Sequence, residues 1–172
     1  MKLELLITEE SIQDSVREMA ALITSDYYNK NPIMICVLKG AIFFFSDLCK
    51  QIKSPFQIDF IRPSSYDKNM TSKGFINFTK DVEINIRQKD VIIIEDIIDS
   101  GLTTNHIIRR LKRDKPKSIK MCALINKLER REYDINIDYK GFDIEEGFVV
   151  GYGLDYNEDY RDLNTIYVLK EN

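Results

Sequence analysis

Val91-Ile-Ile-Ile-Glu95-Asp96-Ile-Ile-Asp99-Ser100-Gly101-Leu102-Thr103-Thr104 is the stretch on which the fold turns. Its opening apolar run reads as a strand buried on both faces, as strands of parallel sheets are. That strand delivers two adjacent carboxylates, Glu95 and Asp96, to the sheet edge, and a third, Asp99, after two apolar residues. Ser100, Gly101, Thr103 and Thr104 form a small polar turn opening a helix, with Ile107, Ile108 and Leu111 on one side, that runs to about Arg113. Free N–H groups at a helix N-terminus, with little side-chain bulk and several hydroxyls, make an anion site best matched to a phosphate. Carboxylates beside a phosphate cradle are consistent with a ligand that also offers donors or a cation, as a phosphorylated sugar with magnesium does. The plainer alternative is a capped strand–turn–helix with a solvated acidic rim.

Working outward, Thr8 can cap a helix on which Ile12, Val16, Met19, Ala20, Ile23 and Tyr27 recur at helical spacing, and Asn31-Pro32 ends it. Residues 33–38 (IMICVL) form a second continuous apolar run, broken by Lys39-Gly40, and residues 41–50 read as a short helix. Residues 56–61 alternate as a half-buried strand does. Residues 62–74 (RPSSYDKNMTSKG) are polar and long enough to suggest a mobile lid. Residues 75–78, 119–125, 148–152 and 166–169 complete the predicted strands. Strand–helix–strand alternation predicts an α/β fold, with a mostly parallel central sheet flanked by helices, in a single domain spanning 1–172. In such sheets ligands gather beyond the carboxyl ends of the strands.

Composition narrows the function classes. The net charge of −3 gives no global reason to hold nucleic acid. The basic run from Arg109 to Lys117 complements a helix C-terminus, and His106 on that helix is expected to face solvent. Cys36, Cys49 and Cys122 lack metal-ligand spacing and read as buried, reduced thiols. A single histidine leaves no Ser-His-Asp triad to build. Phe43, Phe44 and Phe45 read as core plus subunit interface. The N-terminus lacks the pattern of a signal peptide and no stretch is long enough to span a bilayer, so a cytoplasmic location is expected.

The central stretch resembles the phosphoribosyl pyrophosphate signature of type I phosphoribosyltransferases: an apolar run, an acidic pair, two apolar residues, Asp, a small hydroxyl residue, Gly and Thr. Leu38-Lys39-Gly40, Ser65-Tyr66, Lys127 and the run FVVGYGLDYNEDYRDL from Phe148 to Leu163 resemble the hypoxanthine-guanine branch, in the expected order. The resemblance implies that fold, with a small hood from the N- and C-terminal segments. It implies a purine-salvage transferase using Mg2+, assembled as a homodimer or homotetramer, with no membrane or nucleic-acid partner. Glu95 and Asp96 would bind the ribose hydroxyls directly or through magnesium. Asp99, Ser100, Gly101, Leu102, Thr103 and Thr104 would wrap the 5′-phosphate, with Asp99 as general base near nitrogen 7 of the purine. Lys39, Gly40 and Arg161 would meet pyrophosphate, and the Leu38–Lys39 peptide is often cis in the family. Lys127, Phe148, Val149 and Asp155 would form the purine end, Phe148 by stacking and the Val149 backbone by reading the base edge. Asp155 would also hold a second magnesium, and Ser65 and Tyr66 would belong to the lid.

Each assignment has a plainer counterpart. Asp99 could cap its helix, Lys39 could be a turn lysine, and Phe148 and Val149 could be core. Residues 155–162 could be an acidic surface loop. Two other readings of the whole chain stand beside the transferase: a regulator of this fold that senses a nucleotide or binds RNA, and a transferase acting on adenine, xanthine or a pyrimidine.

Overall fold

The computed structural model describes residues 1–64 and 77–170. In chain order these form β1 (Lys2–Ile7), α1 (Glu9–Asp26), β2 (Ile33–Val37), α2 (Ile42–Gln51), β3 (Gln57–Pro63) and β4 (Phe78–Lys80). There follow β5 (Asp90–Ile98), α3 (Leu102–Lys112), β6 (Ser118–Lys127), β7 (Tyr139–Ile144), β8 (Val149–Val150) and β9 (Ile166–Lys170). A six-stranded sheet runs in the order β4-β3-β2-β5-β6-β7. Every pairing in it is parallel except β3 with β4.

The two continuous apolar runs are its middle strands, and alternation explains why both are apolar throughout. Met34 and Cys36 of β2, with Ile92 and Ile94 of β5, pack into a core shared with α1 and α2. Ile33, Ile35 and Val37, with Val91 and Ile93, enter a second core under α3, beside Ile107 and Leu111. Successive strand side chains point to opposite faces, so helices on both sides require apolar residues at every position. Thr8 caps α1 as expected, its Oγ1 accepting from the Ser11 N–H at 3.2 Å, and Glu9 and Glu10 complement the helix dipole.

A separate three-stranded sheet, order β1-β9-β8, joins the two ends of the chain and forms the predicted hood. Its first strand was not foreseen, nor was β7. The apolar run of β5 continues through the acidic pair to Ile98, so Glu95 and Asp96 lie within a strand and not at its end. β3 extends to Pro63, because Arg62 and Pro63 pair with Lys80 and Phe78. Of the strand expected over 75–78, only Phe78 lies in β4, which runs on to Lys80; residues 75 and 76 are outside the described region, as are Ser65 and Tyr66 of the expected lid. The strand expected over 148–152 is only Val149–Val150. It stops at Gly151, whose φ of +102° and approach to the Thr165 carbonyl leave no room for a Cβ. His106 and Cys49 are half-buried, which corrects the expectations of a solvent-facing imidazole and of a fully buried thiol. Phe44 and Phe45 are core, while Phe43 is exposed.

Candidate active site

Strand order reverses direction between β2 and β5, since β3 lies outside one and β6 outside the other. The carboxyl ends of strands at such a switch point are where open α/β sheets bind ligands. A cavity of about 340 Å³ opens there, lined among others by Lys39, Gly40, Asp96, Asp99, Lys127 and Phe148. Val149, Asp155 and Arg161 line it too. Residues up to 122 apart in the sequence thus converge from β2, β5, β6 and the hood. Glu95 and residues 100–104 are not in its lining; the latter form the adjoining turn and first turn of α3. A larger hollow of about 530 Å³ between α1 and α2, near Ala21, Tyr28 and Gln51, has no such gathering of acids and cations.

The loop after β2 is held by close backbone approach. The Leu38–Lys39 peptide is cis, as the resemblance implied. A Cβ on Gly40 would lie 1.8 Å from Asp96 Oδ2, and one on Gly153 would lie 2.1 Å from the Gly40 carbonyl oxygen. Gly40 is therefore fixed between β5 and the hood, and only glycine leaves the space for both. Gly153 was not singled out from the sequence, although its alternation with Gly151 in GYG was a signal available there.

Asp99 does not cap α3. The cap position is Gly101, at φ +81° and without a side-chain bond, while Ser100 Oγ accepts from the Leu102 N–H at 3.2 Å. Asp99 Oδ1 is buried with no hydrogen-bond partner. The first-turn N–H groups of α3 have no carbonyl a turn earlier to bond, which is the condition for anion binding. Thr104 is buried, Leu102 half-buried and Thr103 exposed. A segment missed in the sequence reading braces this turn from behind. Ser100 O accepts from the N–H groups of Glu132 and Tyr133 at 2.9 and 3.0 Å. Arg131 donates to the carbonyls of Ile98 and Lys127 at 3.0 and 3.1 Å, tying the ends of β5 and β6 together.

Lys127 is only 5% exposed, and its Nζ lies 3.3 Å from Glu129 Oε2. Phe148, by contrast, is 51% exposed and meets Tyr156 edge to face, at 5.7 Å between centroids, so a plain core role does not describe it. Val149 is buried. Asp155 is no loose surface acid: Oδ1 pairs with Arg161 at 2.8 Å and Oδ2 accepts from the Glu158 N–H at 2.8 Å. Arg161 also donates to the Gly153 carbonyl at 2.6 Å, leaving its buried Nε without a partner.

Burial, and then the charge of Asp96, holds the Glu95 carboxyl well above the usual range, and Glu95 Oε2 is buried without a partner. The Asp96 carboxyl is pushed up to about 6, chiefly by burial, against the pull of backbone N–H groups and Arg161. Such acids are short of a cation or of hydroxyl donors. Among the described residues no three metal-binding side chains converge. The donor set suits magnesium, which is commonly held by one or two carboxylates while substrate phosphates complete its shell.

The raised Asp96 pKa has a consequence for stability. The folded protein retains a proton that the unfolded chain releases near pH 4, so stability falls as pH rises from about 4 to 6 and stays reduced above. Asp96→Asn is expected to raise the melting temperature of the metal-free protein at pH 7.5 by several degrees while impairing activity. Thermal unfolding of both proteins at pH 4 and 7.5 checks this, and an unaltered difference between the two pH values would refute it.

The phosphoribosyl transferase domain model matches residues 6–157. The hypoxanthine-guanine phosphoribosyltransferase of Bacillus subtilis (strain 168) is 45% identical over 167 residues, covering 97% of this chain and 93% of that protein. The hypoxanthine-guanine-xanthine enzyme of Tritrichomonas foetus is 42% identical over 96% of this chain and 91% of its own length. A crystal structure of a Bacillus anthracis hypoxanthine-guanine phosphoribosyltransferase, with a HEPES molecule in its active site, superposes with a TM-score of 0.91 at 42% identity, covering 97% of this chain and 98% of that one. With a parallel sheet, a hood of both termini and a cavity at the switch point, this chain belongs to the phosphoribosyltransferase family, in its hypoxanthine-guanine branch.

Proposed function

We propose that this chain, working as one domain over 1–172, transfers the 5-phosphoribosyl group of phosphoribosyl pyrophosphate to nitrogen 9 of hypoxanthine and guanine. The products are IMP or GMP and pyrophosphate. The observation that carries this reading is the convergence of Lys39, Asp96, Asp99, Lys127, Phe148 and Arg161 on one cavity at the switch point.

Residues Ser100, Gly101, Leu102, Thr103 and Thr104 hold the 5′-phosphate on the N-terminus of α3. Glu95 and Asp96 take the ribose hydroxyls, and these two with Asp155 hold Mg2+ together with the substrate. When bound, magnesium offsets the charge of the departing pyrophosphate. The loop N–H groups at Lys39 and Gly40, the Lys39 ammonium and the Arg161 guanidinium receive that pyrophosphate. Phe148 stacks on the purine, the Val149 backbone reads its edge, and Lys127 donates to its 6-oxo group. Asp99 accepts the purine proton as the new bond forms. Ser65 and Tyr66 lie outside the described residues and keep their proposed place in a lid that excludes water.

No described helix is long and apolar enough to cross a membrane. The proposed setting is cytoplasmic, as a homodimer or homotetramer, with small-molecule substrates and no nucleic acid. A spectrophotometric panel of hypoxanthine, guanine, xanthine and adenine with phosphoribosyl pyrophosphate and magnesium tests the reading. Turnover is expected with hypoxanthine or guanine and none without magnesium. Silence with every base, alongside tight binding of RNA, would instead favour a regulator.

A further inference from the structure

The turn after Asp155 carries a carboxylate to which the reaction assigns no part. Tyr156 and Asp159 exchange backbone hydrogen bonds at 3.2 and 3.1 Å, closing a loop whose two central residues both have positive φ: Asn157 at 53° and Glu158 at 70°. Two positive φ values are the mark of a type I′ hairpin turn, whose favoured sequence is Asn-Gly. Here a glutamate stands where glycine is preferred, although any Cβ in the left-handed region is unfavourable. Its side chain spans the proposed pyrophosphate cations. Oε2 lies 2.8 Å from Lys39 Nζ and 3.4 Å from Arg161 Nη2. Its own N–H is anchored on Asp155 Oδ2 at 2.8 Å, which fixes the turn beside the cavity.

We propose that Glu158 is an internal stand-in for pyrophosphate, holding Lys39 and Arg161 in the free enzyme and yielding them when a pyrophosphate group binds. It is a positioning residue that acts through the two cations. It keeps them gathered in the free state and loosens the hold on the product. The inference rests on the reading that Lys39 and Arg161 receive pyrophosphate. Glu158 is 63% exposed, so it can turn out into water when displaced. Exposed ion pairs are individually weak, which makes this a modulation of affinity and not a block.

The sign of the effect separates this role from a structural one. If Glu158 only propped up Lys39 and Arg161, removing its charge would weaken binding of pyrophosphate. As a competitor, its removal strengthens it. Calorimetric titration of inorganic pyrophosphate with magnesium is to be run on the parent, Glu158→Gln and Glu158→Gly. Both variants are expected to bind roughly five-fold more tightly. KM for phosphoribosyl pyrophosphate should fall in step while KM for hypoxanthine holds. The glycine variant suits the positive φ, so it should fold at least as stably as the parent, which keeps the test valid if the glutamine variant folds poorly. Equal or weaker pyrophosphate binding in the folded variants overturns the proposal. Parent turnover in the base panel tests the functional reading separately, so an active parent with no tightening in the variants would overturn Glu158's role alone.

Discussion

Asp99→Asn is expected to lower kcat by about 10²–10⁴-fold, the usual share of general acid–base catalysis, while binding of phosphoribosyl pyrophosphate changes far less. Asparagine keeps the shape of the side chain but has no basic oxygen to take a proton. The structural alternative, a capping aspartate, is removed by Gly101 at the cap position and by Ser100 Oγ on the Leu102 N–H. What remains is a buried carboxyl oxygen without a partner, on a residue that lines the cavity at the switch point. A general base must sit within hydrogen-bond reach of the proton it takes. Steady-state kinetics on the purified variant, with calorimetric binding of phosphoribosyl pyrophosphate, check the split. Near-normal turnover would remove Asp99 from the chemistry. Weakened binding with kcat intact would make it a phosphate-turn residue only.

How much of this was legible beforehand depended on where each residue sits. β2 and β5 were readable because burial on both faces forces unbroken apolar runs, and α1 because Thr8 and a five-residue buried stripe mark it. β1 and β7 lie at sheet edges, where side chains need not alternate cleanly. Leu5 of β1 is exposed, and Gly141 of β7 is needed because a Cβ would come within 2.5 Å of the Leu124 carbonyl oxygen. The acidic pair looked like a strand end because carboxylates usually stop a buried strand. Here they are buried in its last half, with their pKa values raised by that burial. Lys39, Asp99 and Lys127 could be placed near strand ends from local sequence alone. The bracing by Arg131 and the bridging by Glu158 are contacts between distant elements, and no local period encodes them.

Lys127 is expected to make the enzyme reject adenine, with kcat/KM for adenine about 10⁴–10⁵-fold below that for hypoxanthine or guanine, as for sites built around one specific hydrogen bond. The ammonium is buried at the end of β6, and in the free protein its charge is met at 3.3 Å by Glu129. A 6-oxopurine presents a carbonyl acceptor that this donor can meet in a charge-assisted bond. Adenine presents an amino group at the same place, so donor faces donor and the cation gains nothing from the base. A buried polar group left unsatisfied costs about 1–3 kcal/mol, and a charged one more. Lys127→Ala should therefore narrow the gap chiefly by harming the good substrates, because the variant loses a favourable bond to the 6-oxo group and only a repulsive contact to adenine. Any rise in adenine use should be small, since alanine offers no acceptor for the amino group. Measuring kcat/KM for hypoxanthine, guanine and adenine on both proteins decides the matter. Comparable use of adenine by the unmodified protein would overturn both the role of Lys127 and the 6-oxopurine specificity built on it.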